Sequence, residues 1–140
     1  MAVNYLGSAT EFAVLAASTV TTTGITAING NIGVNPGTAF TVTGVLNQNG
    51  TAHTADAIAS LARTDAINGS EALAALEPTV NLTGSDLGSV GVLTPGVYRF
   101  DSSAQLTGTL TLDYAGDAGA AFIFQIGSTL VTAPARQYWF

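Results

Sequence analysis

The chain has 140 residues, of which 47% are hydrophobic and only 9% are charged, and its formal net charge is −6. The length suits one domain with its own core, so we expect a single domain over residues 1–140. Cysteine and lysine are absent, which excludes disulfides and cysteine metal sites and leaves almost no positive charge to bind nucleic acid or an anionic membrane.

The first region, from Phe12 to about Val45, has the composition of short β-strands separated by glycines. Threonine, which occurs twenty times in the chain, is β-branched and favours strands. Asn35-Pro36-Gly37 is a strong turn signal, because proline fixes φ and glycine accepts the positive φ that follows. We therefore predict strands on both sides of this turn.

A helix is predicted from about Thr54 to Leu76, because small and apolar residues recur there with the period of about 3.6 residues that is typical of an α-helix. Charged residues lie off this stripe, and Pro78 follows the end of the helix. A stripe rich in alanine lets a helix lie close against a flat partner, so we predict a packing helix. The stripe consists of Ala55, Ile58, Ala62, Ala66, Gly69, Leu73 and Leu76.

Three segments share one plan, in which an apolar strand, a short serine-containing corner and a threonine-bearing strand follow one another. Such self-similarity predicts a solenoid, and the unequal repeat lengths predict an irregular one. In the second segment Leu110 and Leu112 alternate with threonines and are expected to point inward along one strand. The segments begin at Phe12, Val97 and Phe122, and their threonine-bearing parts are residues 18–23, 106–112 and 128–131.

Stacked threonine strands would form a flat grid of hydroxyl and methyl groups, spaced about 6.5–7 Å along a strand and about 4.7 Å between strands. Few ligands are flat and periodic in two dimensions: ice is one, and some polysaccharides are others. Uncharged groups can hold ordered water without a tightly bound hydration shell of their own. Threonine is also simply a good strand residue on a solvated face. The candidate ice-binding residues are Thr19, Thr21, Thr23, Thr107, Thr109, Thr111 and Thr129.

No catalytic or metal-binding signature stands out, so we predict neither an enzyme nor a bound cofactor or metal. His53, the only histidine, lies next to the predicted helix start, where a capping or turn role is expected. Asp101, Asp113 and Asp117 lie in Gly- and Ser-rich corners, where aspartate commonly binds turn backbone. A polysaccharide-binding or adhesin module and a β-helix hydrolase or lyase are the alternatives to ice binding.

Several motifs, found in order from about Leu6 to Ala133, resemble those of the microbial ice-binding protein family DUF3494. The motifs are residues 6–16 (LGSATEFAVLA), 29–38 (NGNIGVNPGT), 93–98 (LTPGVY), 106–113 (LTGTLTLD) and 121–130 (AFIFQIGSTL). The resemblance implies a mainly β fold, an irregular right-handed β-helix with one long α-helix packed alongside. It also implies a secreted protein of cold-adapted microbes, with the signal peptide absent from this chain, that adsorbs to ice and inhibits ice growth and recrystallisation.

Some members of this family carry a T-A/G-x-T/N motif on a flat face. Three four-residue strings match it, and they begin at Thr26, Thr38 and Thr51. In a threonine-rich chain these short matches carry less weight than the alternating strands. They add the weaker candidates Thr26, Asn29, Thr38, Thr41, Thr51 and Thr54.

The C-terminal part of the sequence departs from the family pattern. Val131 lies where relatives often have threonine, and the tail 134–140 (PARQYWF) does not resemble the family. The chain also ends where a typical relative continues for several turns, so we expect a truncated form or a short variant. Missing turns would shrink the ice face and expose a strand edge. We therefore expect reduced activity and self-association through an edge of the β-helix.

Overall fold

The computed structural model describes residues 3–134. These residues contain twelve β-strands, one long α-helix and two short helices, so the fold is mainly β with one long helix, as the sequence predicts. The described residues divide into two compact units, which we call the N-terminal unit (Asn4–Ala72) and the C-terminal unit (residues 73–134 with Val3). No helix within residues 3–134 is long and apolar enough to cross a membrane. The predicted aromatic tail lies, from residue 135 onwards, outside the described residues.

The N-terminal unit is built from parallel strands. Its elements are a 3₁₀ helix Gly7–Glu11, β1 Phe12–Ala16, β2 Thr19–Asn29, β3 Asn31–Val34, β4 Ala39–Asn49, β5 Ala52–Thr54 and α1 Ala57–Ala74, whose last two residues belong to the C-terminal unit. One sheet has the order β1-β3-β5, and β2 pairs with β4 in a second sheet. Thr21 pairs with Thr41 and Ile32 with Ala52, in each case 20 positions later in the sequence. The β2–β4 and β3–β5 pairs therefore share one return interval, which is the number of positions between paired residues, whereas β1 and β3 pair 18 or 19 positions apart with a register shift.

The core of the N-terminal unit consists of apolar side chains from four of its strands, β1 to β4. Val20 of β2 and Ile32 and Val34 of β3 are buried, and Phe40 and Leu46 of β4 pack against them. Most of these side chains are β-branched or aromatic, which suits a pleated and half-buried surface. Burial of this cluster fixes which side of β2 and β4 faces inward.

Helix α1 confirms the predicted helix to within three residues at each end. Its buried residues are Ala59, Ala62 and Gly69, whereas Ile58, which was predicted to be on the packing stripe, is 55% exposed. This part of the prediction is wrong because the packing face is selected by small size rather than by apolarity. A side chain at Gly69 would overlap the carbonyl oxygen of Tyr5, so only glycine allows this approach.

The C-terminal unit is also built from parallel strands, but they are shorter. Its elements are β6 Val80–Asn81, a one-turn helix α2 Leu87–Val90, β7 Val92–Leu93, β8 Gly96–Phe100, β9 Ala104–Leu106, β10 Thr111–Leu112, β11 Phe122–Ile126 and β12 Leu130–Thr132. The sheets are β11-β8-β6, β10-β7 and β12-β9. Val80 pairs with Tyr98, 18 positions later, and Gly96 with Phe122, 26 positions later. Leu87, Leu93, Phe100 and Leu106 belong to its buried core.

The prediction of one alternating strand over residues 106–112 is wrong. β9 ends at Leu106 and pairs with β12, while β10 begins at Thr111 and pairs with β7. The break contains Gly108, whose φ of 100° turns the chain out of the extended conformation. Leu110 packs against the core, but Leu112, which was expected to point inward, is 40% exposed.

Gln125 of β11 holds the C-terminal end of α1. Its Nε2 donates hydrogen bonds to the carbonyl oxygens of Leu73 at 2.8 Å and Leu76 at 2.9 Å. The last carbonyl groups of a helix have no partner within the helix. This side chain therefore supplies donors to both carbonyl groups, of which that of Leu73 also accepts from the Leu76 amide at 3.4 Å. No local sequence pattern predicts this role.

Candidate functional site

The outward side of the first halves of β2 and β4 carries five exposed threonines. Because β2 and β4 pair in register, these residues form three rows, each with one residue from either strand. We call this surface the threonine face. Its rows are Thr19 with Ala39, Thr21 with Thr41, and Thr23 with Thr43, and all six residues are exposed.

The first halves of β2 and β4 carry inward side chains beneath the threonine face and reach a common corner. Val20 and Thr22 of β2 are buried, and Phe40 of β4 is half-buried beside Val20. Gly24 and Gly44 lie opposite each other immediately after the last row, with φ of 67° and 119°. Positive φ is accessible to glycine at little cost, so both strands bend at the same place and the face ends there.

The threonine face is uncharged and its hydroxyl groups are free. Neither β2 nor β4 contains a charged residue. Across residues 3–134, no protein group forms a hydrogen bond with the hydroxyls of the five threonines on this face. Residues in one row lie about 4.7–4.9 Å apart and successive rows about 7 Å apart, the dimensions of a parallel sheet. The surface can therefore offer water a regular set of hydroxyl and methyl groups.

Beyond the corner, the second halves of β2 and β4 present a different outward surface. It consists of the exposed residues Ile25, Ala27 and Asn29 paired with Val45, Asn47 and Asn49. The side-chain amide of Asn49 donates to Oδ1 of Asn29 at 3.0 Å. Thr26 points inward here, is half-buried, and donates its hydroxyl to the carbonyl oxygen of Thr23 at 3.3 Å.

Of the six candidate residues that the T-A/G-x-T/N strings supply, only Thr41 lies on the threonine face. Thr38 precedes β4, Thr51 precedes β5 and Thr54 ends β5 opposite Val34. The matches are therefore spread over several parts of the N-terminal unit.

The threonines predicted in the C-terminal unit lie in several separate settings. The hydroxyl of Thr107 donates to Asp86, whose carboxylate also accepts from the Thr107 amide at 2.9 Å and the Gly88 amide at 2.8 Å. The Thr107 hydroxyl is the main cause that lowers the pKa of Asp86. The hydroxyl of Thr129 is hydrogen-bonded to Ser103 at 2.9 Å. Thr109 lies between strands and Thr111 pairs with Val92 in β7, so these four threonines do not continue one strand.

Corner carboxylates stabilise turns, as predicted for Asp113 and Asp117. Asp113 accepts from the Ala115 amide and Asp117 from the Gly119 amide, each at 2.9 Å. Asp101 instead accepts from Nε of Arg99 at 2.6 Å and from Asn81 at 3.0 Å, and these bonds lower its pKa.

His53 lies in β5, shortly before α1, and its Nδ1 contacts the carboxylate of Asp56 at 2.7 Å. Asp56 accepts a hydrogen bond from the Ala59 amide at 2.8 Å and so caps the helix. The hydrogen bond from the Ala59 amide is the main cause that lowers the pKa of Asp56, and the contact with His53 is the second. Within the described part of the chain, no three histidine, aspartate or glutamate side chains lie close enough together to hold a metal ion.

Sequence reasoning missed Ala39 and Thr43, the β4 residues of the first and third rows. A signal for them is present in the sequence, because residues 19–30 (TVTTTGITAING) and 39–50 (AFTVTGVLNQNG) are repeats of one another. The two strings are identical at five positions, and every residue of β2 pairs with its counterpart in β4. Alignment of these two strings with each other would have identified the partner of β2.

Comparison with known proteins agrees with this architecture. The family model described as Ice-binding-like matches residues 14–138. An ice-binding protein from Nostoc sp. (strain HG1) is 50% identical over 131 residues, which are 94% of this chain and 48% of that protein.

Two crystal structures of ice-binding proteins are similar to the fold. One, from an Antarctic biological consortium, has a TM-score of 0.84 and 40% identity and covers 97% of this chain and 63% of its own. The other, from the Antarctic ascomycete Antarctomyces psychrotrophicus, has a TM-score of 0.82 and 36% identity and covers 94% and 64%. The chain spans less than two thirds of the length of each of these three relatives. A family match over most of the chain, together with these relatives, establishes that the chain belongs to the ice-binding-like family.

Proposed function

We propose that this protein binds ice and that the threonine face of β2 and β4 is the surface that adsorbs. The observation that carries the proposal is the register of the two strands, which places Thr21 beside Thr41 and Thr23 beside Thr43 on an exposed and uncharged surface. Relatives described as ice-binding proteins support it. Adsorption to ice would inhibit ice growth and recrystallisation, and the site needs no catalytic group or cofactor.

The chemistry of the face suits a layer of ordered water. Each threonine offers a hydroxyl that can form a hydrogen bond with water. Its methyl group forms none, so it does not compete for the hydrogen bonds of the neighbouring water molecules. A charged side chain would instead hold its own hydration shell, and β2 and β4 contain none. The pleated sheet repeats these groups in two directions, which is what a crystal surface requires and a small soluble ligand does not.

The N-terminal unit is a better candidate for the main contact than the threonines of the C-terminal unit. Hydroxyls already bonded to protein, as in Thr107 and Thr129, are less available to water. Thr109 and Thr111 remain exposed, but Thr109 lies between β9 and β10, which belong to different sheets, and Thr111 is in the two-residue β10. We therefore assign Thr19, Thr21, Thr23, Thr41 and Thr43 to the primary face.

For the architecture we propose an irregular right-handed β-helix with α1 packed alongside. Parallel pairing throughout the described strands supports this, as do the equal return intervals of the β2–β4 and β3–β5 pairs. The repeated returns of the C-terminal unit to the β11-β8-β6 sheet support it as well. The family match over residues 14–138 spans both units, which favours one domain. Action on extracellular ice implies a secreted protein.

The proposal is tested by placing a bulky side chain on the threonine face. Thr21→Tyr and Thr41→Tyr replace neighbouring residues of one row, and the tyrosine ring would lift the face away from ice. We expect both variants to lose thermal hysteresis and inhibition of ice recrystallisation, while their melting temperatures by circular dichroism stay close to that of the wild type, since exposed substitutions usually change stability by no more than about 0.5 kcal/mol.

Thr109→Tyr is the matched control, because it makes the same change at an exposed threonine away from the paired strands. It is expected to retain ice activity. Retained ice activity in both face variants would refute the assignment of the face. Absence of ice activity in the wild type, together with binding to a polysaccharide, would refute the function itself. Sedimentation of each variant checks that the state of association is unchanged.

A further inference from the structure

The chain contains three asparagines that are followed directly by glycine, at Asn29, Asn49 and Asn68. In such a pair the glycine nitrogen can attack the side-chain carbonyl carbon of the asparagine. Glycine has no Cβ to hinder this approach and moves freely, so asparagine–glycine pairs are the most susceptible to this reaction. The three pairs are chemically alike, and differences in their reactivity must therefore come from the fold.

The structure separates the three pairs by what each glycine nitrogen is bonded to. The Gly30 amide donates to the carbonyl oxygen of Asn49 at 2.8 Å. Gly69 is buried inside α1, where amides beyond the first turn are bonded to carbonyls four residues earlier. The Gly50 amide, which follows the last residue of β4, is exposed and has no hydrogen-bond acceptor among residues 3–134.

Asn49 is also accessible at the atom that would be attacked. Its side chain is exposed, and its one side-chain hydrogen bond is donated from Nδ2 to Asn29. This bond leaves the carbonyl carbon open. The difference between Asn29 and Asn49 follows from their place in the sheet: β2 has β4 beside it to accept the Gly30 amide, whereas the corresponding edge of β4 has no further strand in the N-terminal unit.

We propose that Asn49 is a site of spontaneous deamidation and that the fold selects it over Asn29 and Asn68. The Gly50 nitrogen forms a bond to Cγ of Asn49 and loses its proton, and the bond from Cγ to Nδ2 breaks, so that ammonia leaves and a five-membered succinimide remains. Water then opens the ring at either carbonyl and leaves aspartate or isoaspartate at position 49. No oxidant, reductant or enzyme is needed, and water is the only co-reactant.

The product alters the second halves of β2 and β4. A carboxylate at position 49 no longer donates to Oδ1 of Asn29, and it brings a negative charge to a strand pair that otherwise has none. In the isoaspartate product the main chain gains one methylene group, next to the carbonyl that accepts from Gly30. The damage is expected at this end of the strands, beyond the Gly24 and Gly44 corner and away from the threonine face.

The test is to age the folded protein in warm, mildly alkaline buffer and to follow each asparagine by peptide mapping with mass spectrometry. A parallel sample in urea gives the rates in the unfolded chain. We expect the ratio of the Asn49 rate to the Asn29 rate to be about fivefold larger in the folded protein than in urea, the factor that one net hydrogen bond contributes to a rate. An equal ratio in the two samples, or a folded protein in which Asn49 stays intact while both sites react in urea, would overturn the proposal.

Two matched variants identify the cause. Asn49→Gln is expected to abolish the product at position 49 and to leave Asn29 slow, because Asn29 is protected by the backbone carbonyl at position 49. Asn29→Gln is expected to leave the Asn49 rate unchanged. A large change of the Asn49 rate in Asn29→Gln would mean that the side-chain bond, and not the free Gly50 amide, controls the reaction, which contradicts the proposal. Ice does not enter the measurement, so this result is independent of the proposed function.

Discussion

The two units use the same parallel pairing but reach different degrees of regularity. In the N-terminal unit β2 and β4 are eleven residues each and pair without a register shift. In the C-terminal unit the longest strands have five residues, and the return interval is longer from β8 to β11 than from β6 to β8. A constant interval keeps equivalent residues in rows, whereas a changing interval requires corners of different lengths. Flat periodic surfaces are therefore expected from the first arrangement.

The units also differ in how their corners are held. β2 and β4 turn together at paired glycines, and neither strand contains a carboxylate. In the C-terminal unit the corners contain four aspartates that accept hydrogen bonds. Asp113 and Asp117 accept from amides of their own corners, whereas Asp86 also binds Thr107 and Asp101 binds Arg99 and Asn81. Irregular corners need side-chain acceptors because their backbone amides have no ladder partner. Carboxylates thus occur in the irregular corners of the C-terminal unit, and charge is absent from the candidate ice-binding strands β2 and β4.

The largest effects are expected from cavities in the two cores. Phe100 is 1% exposed at the centre of the C-terminal core, and Phe100→Ala should lower the free energy of unfolding by about 3–5 kcal/mol. Ile32 is fully buried in the N-terminal core, and Ile32→Ala should cost about 2–5 kcal/mol. Chemical denaturation measures both losses.

Hydrogen exchange of the same two variants shows whether the two units also differ in stability. We expect Phe100→Ala to lose amide protection first in β8, β9 and β11, and Ile32→Ala to lose it first in β2, β3 and β4. If amide protection were lost equally over both units in both variants, the two units would unfold together. They would then differ in the regularity of their strands but not in stability.

A smaller effect is expected at the paired glycines of the corner. Gly24 has φ of 67° and open space where a Cβ would be added, so Gly24→Ala should cost only the strain of the left-handed region, about 1–2 kcal/mol. At Gly44, with φ of 119°, an added Cβ would also overlap the carbonyl oxygen of Gly24. Strain and overlap together should bring the cost of Gly44→Ala to about 3 kcal/mol.

The two glycine variants also test whether the corner maintains the threonine face. Gly44→Ala must push β4 away from β2 next to Thr23 and Thr43, so we expect it to reduce thermal hysteresis more than Gly24→Ala does. Equal stability and equal ice activity in the two variants would mean that β4 tolerates displacement, and that the register of the strands does not require this close approach.

Local features of the fold were predictable from the sequence. The helix was found because a period of about 3.6 residues is encoded over many residues and is ended by proline. The corner roles of Asp113 and Asp117 were found because an aspartate binds amides two residues ahead in the chain. Each of these features depends on neighbours in sequence, which one sequence shows directly.

Pairing between strands was less predictable. Alternation in residues 106–112 suggested one strand, but the pattern does not show that Asp86, far earlier in the chain, binds Thr107 and that Gly108 then turns the chain. The sequence predicts that Thr19, Thr21 and Thr23 are exposed along one strand. It does not single out β4 as the partner of that strand, because β4 has fewer threonines than β2. Side-chain periodicity gives the face of a strand but not its neighbour.

The smallest effect is expected from acid, which should weaken the corners and spare β2 and β4. The pKa of Asp86 is lowered, mainly by the Thr107 hydroxyl, and that of Asp101, mainly by Arg99. Because the pKa is lower in the folded state, each charged carboxylate stabilises the fold when the pH is above 3.8, the ordinary carboxyl pKa. This contribution is lost as the pH falls below 3.8 through the folded-state pKa. Asp101 is exposed and Asp86 is only half-buried, so screening by solvent keeps their contribution small.

Hydrogen exchange in acid separates the two regions. As the pH falls below 3.8, the ordinary carboxyl pKa, and through the lowered pKa of Asp86, the amides of Gly88 and Thr107, which donate to Asp86, should lose protection. The amides in the β2–β4 ladder should keep theirs because no carboxylate lies in either strand. Asp86→Asn retains an acceptor oxygen but cannot titrate, so protection at Thr107 should become independent of pH in this range. If β2 and β4 lost protection in step with Thr107, the regular strands would depend on the charged corners. Strand pairing would then not stabilise β2 and β4 independently of the corner carboxylates.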